Sequence, residues 1–373
     1  MTVEAAGPAI GIGLGGTIAE IVGLARAAEA AGFESAWVAE LERSAFVQAA
    51  AVAAGTSSIR VGTAVALAFP RSPTITALEA RDLDELSGGR FLLGLGTQVK
   101  RVVEARFSVA FEHPAEKLAE YAAAIRVVWA AGRGEPVTHE GRFYRITMPA
   151  FHGPSRPEAR DVPILFAAVG PLMSFTAGTI ADGLIGHPLA SPRYLAEVVR
   201  PAVAEGLSAA GRAADACPIS ASPLVALAED PDQARREAKL QLAFYATTRT
   251  YAPILRLHGR EAVIGELRRA FVRGDRERMI GLVDDELCDA LAVAGRPDEA
   301  RDRLAAWHGV ADRLVLAGPW YGVEPGRGRE NAWAIIDALS PRQGPRILSP
   351  APTPPAGDRD APAGRSDRAW SRP

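Results

Sequence analysis

The sequence predicts an α/β protein built as a single (β/α)8 TIM barrel. Apolar runs of β-like composition alternate with helical patterns along most of the chain, and they form eight strand–helix units. Of the 373 residues, 48% are hydrophobic, which is ample for a sizeable core. The apolar run 90–95 ends in Gly96, Thr97 and Gln98. Small and polar residues at the carboxyl end of a parallel strand let a ligand approach the backbone, so we expect a binding site there.

Turn and capping signals mark the elements in order. Thr17 followed by Glu20 forms a capping box ahead of the first helix, which we expect to end at Gly32. Pro231 stands at a permitted first-turn position of a long helix. The predicted strands are 8–14, 35–39, 59–68, 90–95, 162–168, 183–186, 219–228 and 313–316. The predicted helices are 17–31, 44–54, 74–86, 172–181, 193–210, one that starts at 231, and 330–339.

Two segments interrupt this alternation, and a third follows it. Residues 132–160 are rich in Gly, Pro, Arg and His and contain the run Glu-Gly-Arg-Phe-Tyr at 140–144, whereas residues 259–295 have a helical pattern. We expect both to be insertions on the C-terminal face of the barrel, the second as a cap over its mouth. Residues 341–373 have few apolar side chains and are predicted to be a disordered tail after one barrel domain, 1–340.

Composition and motifs exclude several classes of function. The net charge is −2, so nothing indicates a nucleic-acid partner or an acidic membrane surface. No apolar stretch has the length of a membrane span, and no signal-peptide pattern is visible. Cys217 and Cys288 lie in unrelated segments, and neither they nor the six histidines show metal-ligand spacing. We expect a cytoplasmic protein with reduced thiols, no metal and a small-molecule substrate.

A competing motif lies near the N-terminus. Residues 11–16, Gly-Ile-Gly-Leu-Gly-Gly, match the G-x-G-x-x-G dinucleotide fingerprint, and Glu34 and Glu40 follow near the position of a ribose-binding acid. That fingerprint requires a complete buried strand before its first glycine. Here only residues 1–10 precede it, interrupted by Gly7 and Pro8. We therefore interpret the glycines as part of the first barrel strand.

Four segments, in the right order on the right elements, connect the chain with a known family. They are 27–33 (Ala-Ala-Glu-Ala-Ala-Gly-Phe), 61–65 (Val-Gly-Thr-Ala-Val), 87–97 (Ser-Gly-Gly-Arg-Phe-Leu-Leu-Gly-Leu-Gly-Thr) and 167–171 (Ala-Ala-Val-Gly-Pro), followed by Ala181-Asp182-Gly183. Together they resemble the bacterial luciferase-like monooxygenase superfamily over residues 10–339. The resemblance is strongest to the branch that uses coenzyme F420, a deazaflavin, and to chains described as methylenetetrahydromethanopterin-reductase-like. It implies an oxidoreductase that forms a homodimer.

A flavin or deazaflavin needs a flat apolar slot for its ring, donors for the ring carbonyls, and N–H groups or cations for its phosphate. The resemblance implies a non-prolyl cis peptide at Ala64–Val65 that supports the ring. Gly170 and Pro171 are expected to open a helix whose first N–H groups face the phosphate. There are competing interpretations for both sets of residues. The ring and phosphate candidates are also consistent with an ordinary strand and turn that bind no ligand, and the basic candidates with solvated residues at the start of a helix. The candidate cofactor-binding residues are Thr63, Ala64, Val65, Gly96, Gln98, Lys100, Gly170, Pro171, Leu172, Met173, His187, Ser191 and Arg193.

Glu40 is the candidate catalytic residue. It follows the second predicted strand, where deazaflavin-dependent relatives place an acid and a histidine, and it is a candidate proton relay. Leu41 stands where that histidine is expected, and Val99 stands where some relatives place a second acid. A capping or salt-bridged carboxylate is the alternative role for Glu40. Phe69 and Arg71, just past the third predicted strand, are candidate substrate-binding residues.

The sequence leaves three functions open. The first is an F420-dependent oxidoreductase that transfers a hydride between deazaflavin C5 and an organic substrate. The second is a flavin monooxygenase of the same fold that uses reduced FMN and oxygen. The cationic residues Lys100, Arg101 and Arg193 favour F420, because its tail is polyanionic. The third is a non-catalytic barrel that binds a cofactor or another ligand. The residues do not identify the substrate.

Overall fold

Eight parallel strand positions close into a barrel in the computed structural model of the chain, which describes residues 7–149 and 161–342. The predicted (β/α)8 barrel is therefore confirmed. The strands are β1 Ala9–Leu14, β2 Ser35–Val38, β3 Arg60–Thr63, β4 Ala66–Leu67, β5 Phe91–Gly96, β6 Val137–Glu140, β7 Arg145–Met148, β8 Ile164–Ala168, β9 Gly183–Gly186, β10 Ile219–Ala221, β11 Leu224–Leu227, β12 Ala292–Gly295 and β13 Arg313–Leu316. The helices are α1 Ile18–Ala31, α2 Ala45–Gly55, α3 Pro73–Leu86, α4 Lys100–Phe107, α5 Pro114–Gly132, α6 Pro171–Ile180, α7 Pro192–Tyr194, α8 Arg200–Ala209, α9 Pro231–Ala246, α10 Ala252–Leu257, α11 Ile264–Val272, α12 Arg276–Gly281, α13 Asp285–Leu291, α14 Ala300–Leu304 and α15 Pro325–Ala338.

The order of the strands explains how the ring closes. Neighbouring positions run β3-β2-β1-β13-β10-β9-β8-β5, and β5 pairs with both β3 and β4. Since β3 and β4 together fill one position, the predicted strand 59–68 is one strand interrupted at residues 64–65. All pairings around the ring are parallel. The carboxyl ends of the strands therefore meet at one face, and the loops after them can share a site.

Side chains fill the barrel interior. Trp37, Leu92, Leu165, Ile185 and Val315 form a cluster whose members are each at most 5% exposed. The interior is therefore a packed core and not a pore. A second, larger core lies between the strands and the surrounding helices. A ligand must accordingly bind above the interior cluster, at the strand ends.

The N-terminal glycines lie inside a strand, as the sequence predicts. Gly11 and Gly13 belong to β1, and a Cβ atom at Gly11 would lie 2.3 Å from Ser35 Oγ. Thr17 caps α1, and the reciprocal bonds of its capping box with Glu20 are both present. The fingerprint-like run is thus a barrel strand and a capped turn.

The predicted strand 219–228 consists of two strands in different sheets. β10 stays in the barrel, whereas β11 leaves it and pairs in parallel with β12. Ser222 and Pro223 separate them. Proline has no N–H for a sheet ladder, so a central strand is readily interrupted at such a position. The sequence signal was a continuous apolar run, which does not distinguish one strand from two.

The two insertions differ in how they attach to the barrel. The first contains the antiparallel hairpin β6–β7, and its residues 150–160 lie outside the described residues. The second, 259–295, contains α11 to α13 as predicted, and then β12. Its helices pack on α9, and Leu267 and Met279 are fully buried. The second insertion is therefore part of the core, and its Phe271, 38% exposed, packs on Phe244 of α9 at 5.8 Å between ring centroids.

The last described residues hold the chain against α1. Ser340 is 2% exposed and donates from Oγ to the Ala31 carbonyl at 2.8 Å. Arg342 donates from Nη1 to the Ala30 carbonyl at 2.8 Å. The predicted tail 341–373 therefore starts too early, because Arg342 contacts the carbonyl end of a helix. Residues 343–373 lie outside the described residues.

Both cysteines are free and buried, and burial raises the pKa of each thiol to about 11. No group of three or more His, Cys, Asp and Glu residues in 7–149 and 161–342 is arranged to hold a metal ion. A search for membrane spans within the same two ranges found no helix with the required length and apolarity.

Candidate functional site

The third strand position bends at Ala64 and Val65. The peptide bond between these residues is cis, as the resemblance implies. The Ala64 N–H donates to the Val38 carbonyl at 2.8 Å, and the Glu40 N–H donates to the Val65 carbonyl at 3.1 Å. Ala64 and Val65 both pack against the interior cluster. The predicted ring support is thus a bulge above the barrel interior, held by the segment that follows β2.

The bulge lies so close to β5 that β5 has no room for side chains there. A Cβ atom at Gly94 would lie 1.8 Å from the Thr63 carbonyl oxygen, and one at Gly96 would lie 2.4 Å from Val65 Cγ2. Thr63 Oγ1 donates to the Gly94 carbonyl at 2.7 Å and accepts from the Gly94 N–H at 2.9 Å. The hydroxyl of Thr63 is therefore committed to the protein, and Thr63 contributes by holding the bulge against β5.

Glu40 and Arg71 form a paired group beside this bulge. Arg71 Nη1 donates to Glu40 Oε2 at 2.7 Å, and Nη2 donates to Oε1 at 2.5 Å. The Leu67 N–H donates to the same Oε2 at 2.8 Å. Burial lowers the pKa of Arg71, but the hydrogen bonds and charge of Glu40 outweigh it, so this pKa lies above its ordinary value. This is the salt-bridged arrangement that the sequence left open for Glu40.

Phe69 lies in an aromatic group next to this pair. It follows β4 and is 6% exposed. Its ring meets the ring of Phe111 edge-on at 6.0 Å between centroids, and the ammonium group of Lys117 lies 5.1 Å from its centroid. The predicted substrate residue is thus buried at the edge of the barrel where β4 and α5 meet.

Gln98 and Lys100 have local roles where β5 leads into α4. Gln98 has a left-handed backbone, with φ 57°, and its Oε1 accepts from the Val99 N–H at 3.0 Å. Lys100 is 66% exposed and pairs with Glu104 at 3.8 Å. Lys100, Arg101 and Glu104 line an open depression of about 550 Å³. The geometry of Lys100 matches a solvated helix start.

The N-terminus of α6 is open. Gly170 is its N-cap, Pro171 is its first residue, and no side chain caps this end. A Cβ atom at Gly170 would meet nothing within 4 Å, and Leu172 is 69% exposed. The first intrahelical bond runs from the Ser174 N–H to the Gly170 carbonyl. The N–H groups of Leu172 and Met173 therefore precede the helical ladder and are available to an anion.

His187 lies after β9 among aromatic rings. It stacks on Tyr251 at 4.0 Å between centroids and meets Tyr245 edge-on at 4.7 Å. Its Nδ1 accepts from the Leu189 N–H at 3.1 Å, so the neutral ring carries its proton on Nε2. Burial lowers the pKa of His187 to about 3. At neutral pH, His187 is therefore an uncharged side chain with one donor.

Ser191 and Arg193 join the segment after β9 to the end of α10. Ser191 is 1% exposed, and its Oγ lies 2.8 Å from His258 Nε2 in addition to capping α7. Arg193 donates to Glu197 at 2.8 Å and to the Leu257 carbonyl at 3.2 Å. Both predicted phosphate partners thus already bond within the protein. Arg193 is 55% exposed and remains accessible to an anion.

Sequence reasoning missed the residues around Tyr245, one of the two rings that contact His187. Trp320 is 47% exposed, and its Nε1 donates to Tyr245 Oη at 3.2 Å. Burial raises the pKa of Tyr245 to about 12. Gln241 is fully buried, and its Oε1 accepts from the N–H groups of Trp320 and Tyr321 at 2.9 and 2.7 Å. These residues come from α9 and from the loop after β13, and no spacing in the sequence connects them.

The predicted residues thus fall into separate groups at the carboxyl ends of the strands. The bulge and its contact with β5 comprise Thr63, Ala64, Val65 and Gly96, and beside it lie Glu40, Phe69 and Arg71. The open helix end comprises Gly170 to Met173. Two further groups follow β9 (His187, Ser191 and Arg193) and β5 (Gln98 and Lys100).

Comparisons with known proteins agree with this architecture. The family model described as luciferase-like monooxygenase matches residues 3–313. An uncharacterized protein of Mycobacterium tuberculosis is 40% identical over 306 residues, which cover 78% of this chain and 89% of that protein. A putative coenzyme F420-dependent oxidoreductase of the same organism is 32% identical over 315 residues, which cover 79% of this chain and 90% of that protein.

A solved structure extends the comparison to three dimensions. The coenzyme F420-dependent tetrahydromethanopterin reductase from Methanopyrus kandleri matches with a TM-score of 0.75 at 26% sequence identity. The match covers 89% of this chain and 98% of that one. The barrel, its insertions and the extent of the family match lead to one conclusion: the chain belongs to the luciferase-like monooxygenase family.

Proposed function

We propose that this chain is an F420-dependent oxidoreductase, which transfers a hydride between C5 of the deazaflavin and an organic substrate. The observation that carries this proposal is the open N-terminus of α6. It presents free N–H groups behind Gly170, with no capping side chain and with space for a ligand. A helix N-terminus of this kind favours a phosphate. The relative named as a putative F420-dependent oxidoreductase supports the choice of cofactor.

The residues present fit such a cofactor. Leu172 and Met173 would hold its phosphate through their N–H groups, and Arg193 is an exposed cation on the segment after β9. The bulge at Ala64 and Val65 would back its ring with apolar atoms. When bound, the deazaflavin supplies the hydride chemistry. The protein's contribution is to bind and orient the two reactants and to exclude water.

Glu40 contributes to this function mainly by holding the bulge in place. Its backbone N–H holds the Val65 carbonyl, and its carboxylate holds the Leu67 N–H and Arg71. A proton taken up by Glu40 would remove the negative charge that pairs with Arg71. We therefore assign Glu40 and Arg71 the positioning of the ring support, with proton transfer by Glu40 as a secondary role.

Two other functions each have one observation in their favour. A monooxygenase that uses reduced FMN is favoured by the description of the matching family model. A barrel that binds a ligand without turnover is favoured by the occupied carboxylate of Glu40. All three functions use the same open end of α6, so the choice between them depends on the cofactor and on turnover.

Fluorescence titration of the purified full chain with F420 and with FMN tests the proposal. Micromolar binding of F420 and none of FMN is the expected result. Oxygen consumption that depends on reduced FMN would instead establish the monooxygenase. Failure of both cofactors to bind would overturn the proposal.

A further inference from the structure

Lys117 is a mostly buried ammonium group without a close anionic partner. Its side chain is 12% exposed. The only carboxylate within 4 Å among the described residues is that of Glu112, at 3.9 Å, and the Glu112 side chain is itself 57% exposed. A buried ammonium group is costly unless it is paired and hydrogen-bonded. Among the described residues no hydrogen-bond acceptor is within reach of Lys117 Nζ, so this ammonium group is free to bond a ligand.

The other lysines show how different this environment is. The chain has only three, Lys100, Lys117 and Lys239. Lys100 is 66% exposed, and Lys239 lies 2.8 Å from Asp285. Lys239 is nearly as buried, at 18% exposed, so Lys117 differs from it in lacking a close carboxylate.

Aromatic rings surround this ammonium group. Lys117 Nζ lies 5.1 Å from the ring centroid of Phe69 and 5.9 Å from that of Phe143. Phe111 packs edge-on against Phe69. Cation–π attraction to the rings offsets part of the desolvation of the ammonium group. It does not replace the hydrogen bonds that an ammonium group makes in water.

Phe143 is fixed in place by the hairpin β6–β7. Glu120, one turn after Lys117 on α5, accepts from the N–H groups of Arg142, Phe143 and Tyr144 at 3.0, 2.8 and 2.7 Å. A Cβ atom at Gly141 would lie 2.0 Å from Glu120 Oε1, so only glycine permits this approach. The run at 140–144 that stands out in the sequence therefore builds one wall of the Lys117 environment.

The loop that precedes α5 has an unusual backbone at both ends. Ser108 and His113 have left-handed conformations, with φ 55° and 42°. Such conformations are uncommon for residues other than glycine and are often found at ligand sites. Phe111 lies between them. Phe111, whose ring packs on Phe69, thus belongs to a loop with a left-handed residue at each end.

Arg71, the cation predicted to bind substrate, cannot take the place of Lys117. Both terminal nitrogens of Arg71 donate to Glu40. We propose that Lys117, with Phe69, Phe111 and Phe143, binds the carboxylate of a substrate whose adjoining part is flat and apolar. The ammonium group would bond the carboxylate, and the rings would pack on the apolar part. This proposal rests on the proposed function only in naming the ligand a substrate.

The small number of lysines makes a direct test possible. Full-length protein labelled with ¹³C and ¹⁵N only in lysine is titrated by NMR with benzoate and, as a matched neutral probe, with benzamide. No cofactor is added, so failure of the F420 assignment does not affect this experiment. We expect benzoate to shift the side-chain signal of Lys117 saturably, while benzamide does not and the signals of Lys100 and Lys239 stay in place.

Three variants sharpen the result. Lys117→Met keeps an unbranched side chain but removes the ammonium group, and it should weaken benzoate binding roughly tenfold or more. Lys117→Arg keeps the positive charge and should retain part of the benzoate affinity. Glu112→Gln removes the competing carboxylate and should strengthen binding. An unmoved Lys117 signal at high benzoate concentration, or equal shifts with benzamide, would overturn the proposal. If Lys117→Met does not fold, the titration of the unmodified chain still decides.

Discussion

Arg71 bonds both carboxylate oxygens of Glu40, although 31 residues separate them in the sequence. Their side chains are 21% and 10% exposed. The same carboxylate accepts the Leu67 N–H, and the backbone N–H of Glu40 holds the Val65 carbonyl. Glu40 and its ion pair with Arg71 therefore connect the end of β2 with the bulge and with β4.

This arrangement predicts strong coupling between the two residues. Glu40→Gln and Arg71→Met should each lower the free energy of unfolding by about 2 kcal/mol or more. The first leaves Arg71 with only the more distant Glu79, at 3.7 Å, and the second leaves the Glu40 carboxylate without its cation. The double variant should lose less than the sum of the two, since it leaves neither charge behind. Urea unfolding of the four proteins measures this difference. Additive losses, within about 0.5 kcal/mol, would show that the pair is not a unit.

A substitution at Gly170 gives a second prediction, in which the stability of the fold and the affinity for F420 change in opposite directions. Gly170→Asp places a capping carboxylate at the N-terminus of α6, and its φ of −94° suits any residue. We expect the free energy of unfolding to rise by about 1 kcal/mol, because the first N–H groups gain an acceptor. The same carboxylate would occupy and repel the phosphate site, so F420 affinity should fall roughly tenfold or more.

Gly170→Ala is the matched control, since it adds a Cβ atom into open space without a cap. It should leave F420 affinity nearly unchanged. Equal affinity of the aspartate variant and the parent chain would place the phosphate elsewhere. Thermal unfolding and fluorescence titration of the same samples provide both measurements.

His187 gives a prediction about pH. Burial holds the pKa of His187 near 3 in the folded chain, against about 6.5 in an unfolded one. The unfolded chain therefore binds a proton that the folded chain does not, at pH values between these two. The contribution of His187 to stability is complete above about pH 6.5 and is lost as the pH falls below it. At pH 5 the loss amounts to up to about 2 kcal/mol.

Urea unfolding at pH 8 and pH 5 compares the parent chain with His187→Asn, which keeps an acceptor for the Leu189 N–H but does not titrate. The variant should lose less stability between these two pH values. The ring proton signals of His187 should also remain those of the neutral form down to about pH 4. Titration of His187 near pH 6.5 would contradict the buried aromatic environment.

Local signals account for what the sequence predicts well. The capping box of Thr17 and Glu20, the end of α1 at Gly32 and the helix start at Gly170 and Pro171 each depend on neighbouring residues. Such contacts can be read within a few positions of the chain. Eight repeats of a strand and a helix then suffice for a barrel, because a parallel sheet with crossover helices has few other ways to close.

Contacts between distant residues account for what the sequence did not predict. The pairing of Glu40 with Arg71, the docking of residues 142–144 on Glu120 and the bonds from Gln241 to the loop after β13 join different elements. Polar residues of these types are usual on any surface, so no local pattern distinguishes them. Only the folded chain shows that Lys117 is buried while Lys100 is not.

The C-terminal boundary of the barrel gives the last prediction. Ser340 and Arg342 bond the carbonyl groups of Ala31 and Ala30, which end α1 and have no partners within that helix. A chain that stops after Leu339 loses both contacts, and one that stops after Arg342 keeps them. We expect the shorter chain to be less stable by about 1–2 kcal/mol, because two hydrogen bonds are lost, one of them from the buried Ser340 hydroxyl. Urea unfolding of the two truncated proteins side by side measures the difference. Since they differ by only three residues, equal stability would show that these bonds contribute nothing, and the barrel domain would then end at Leu339.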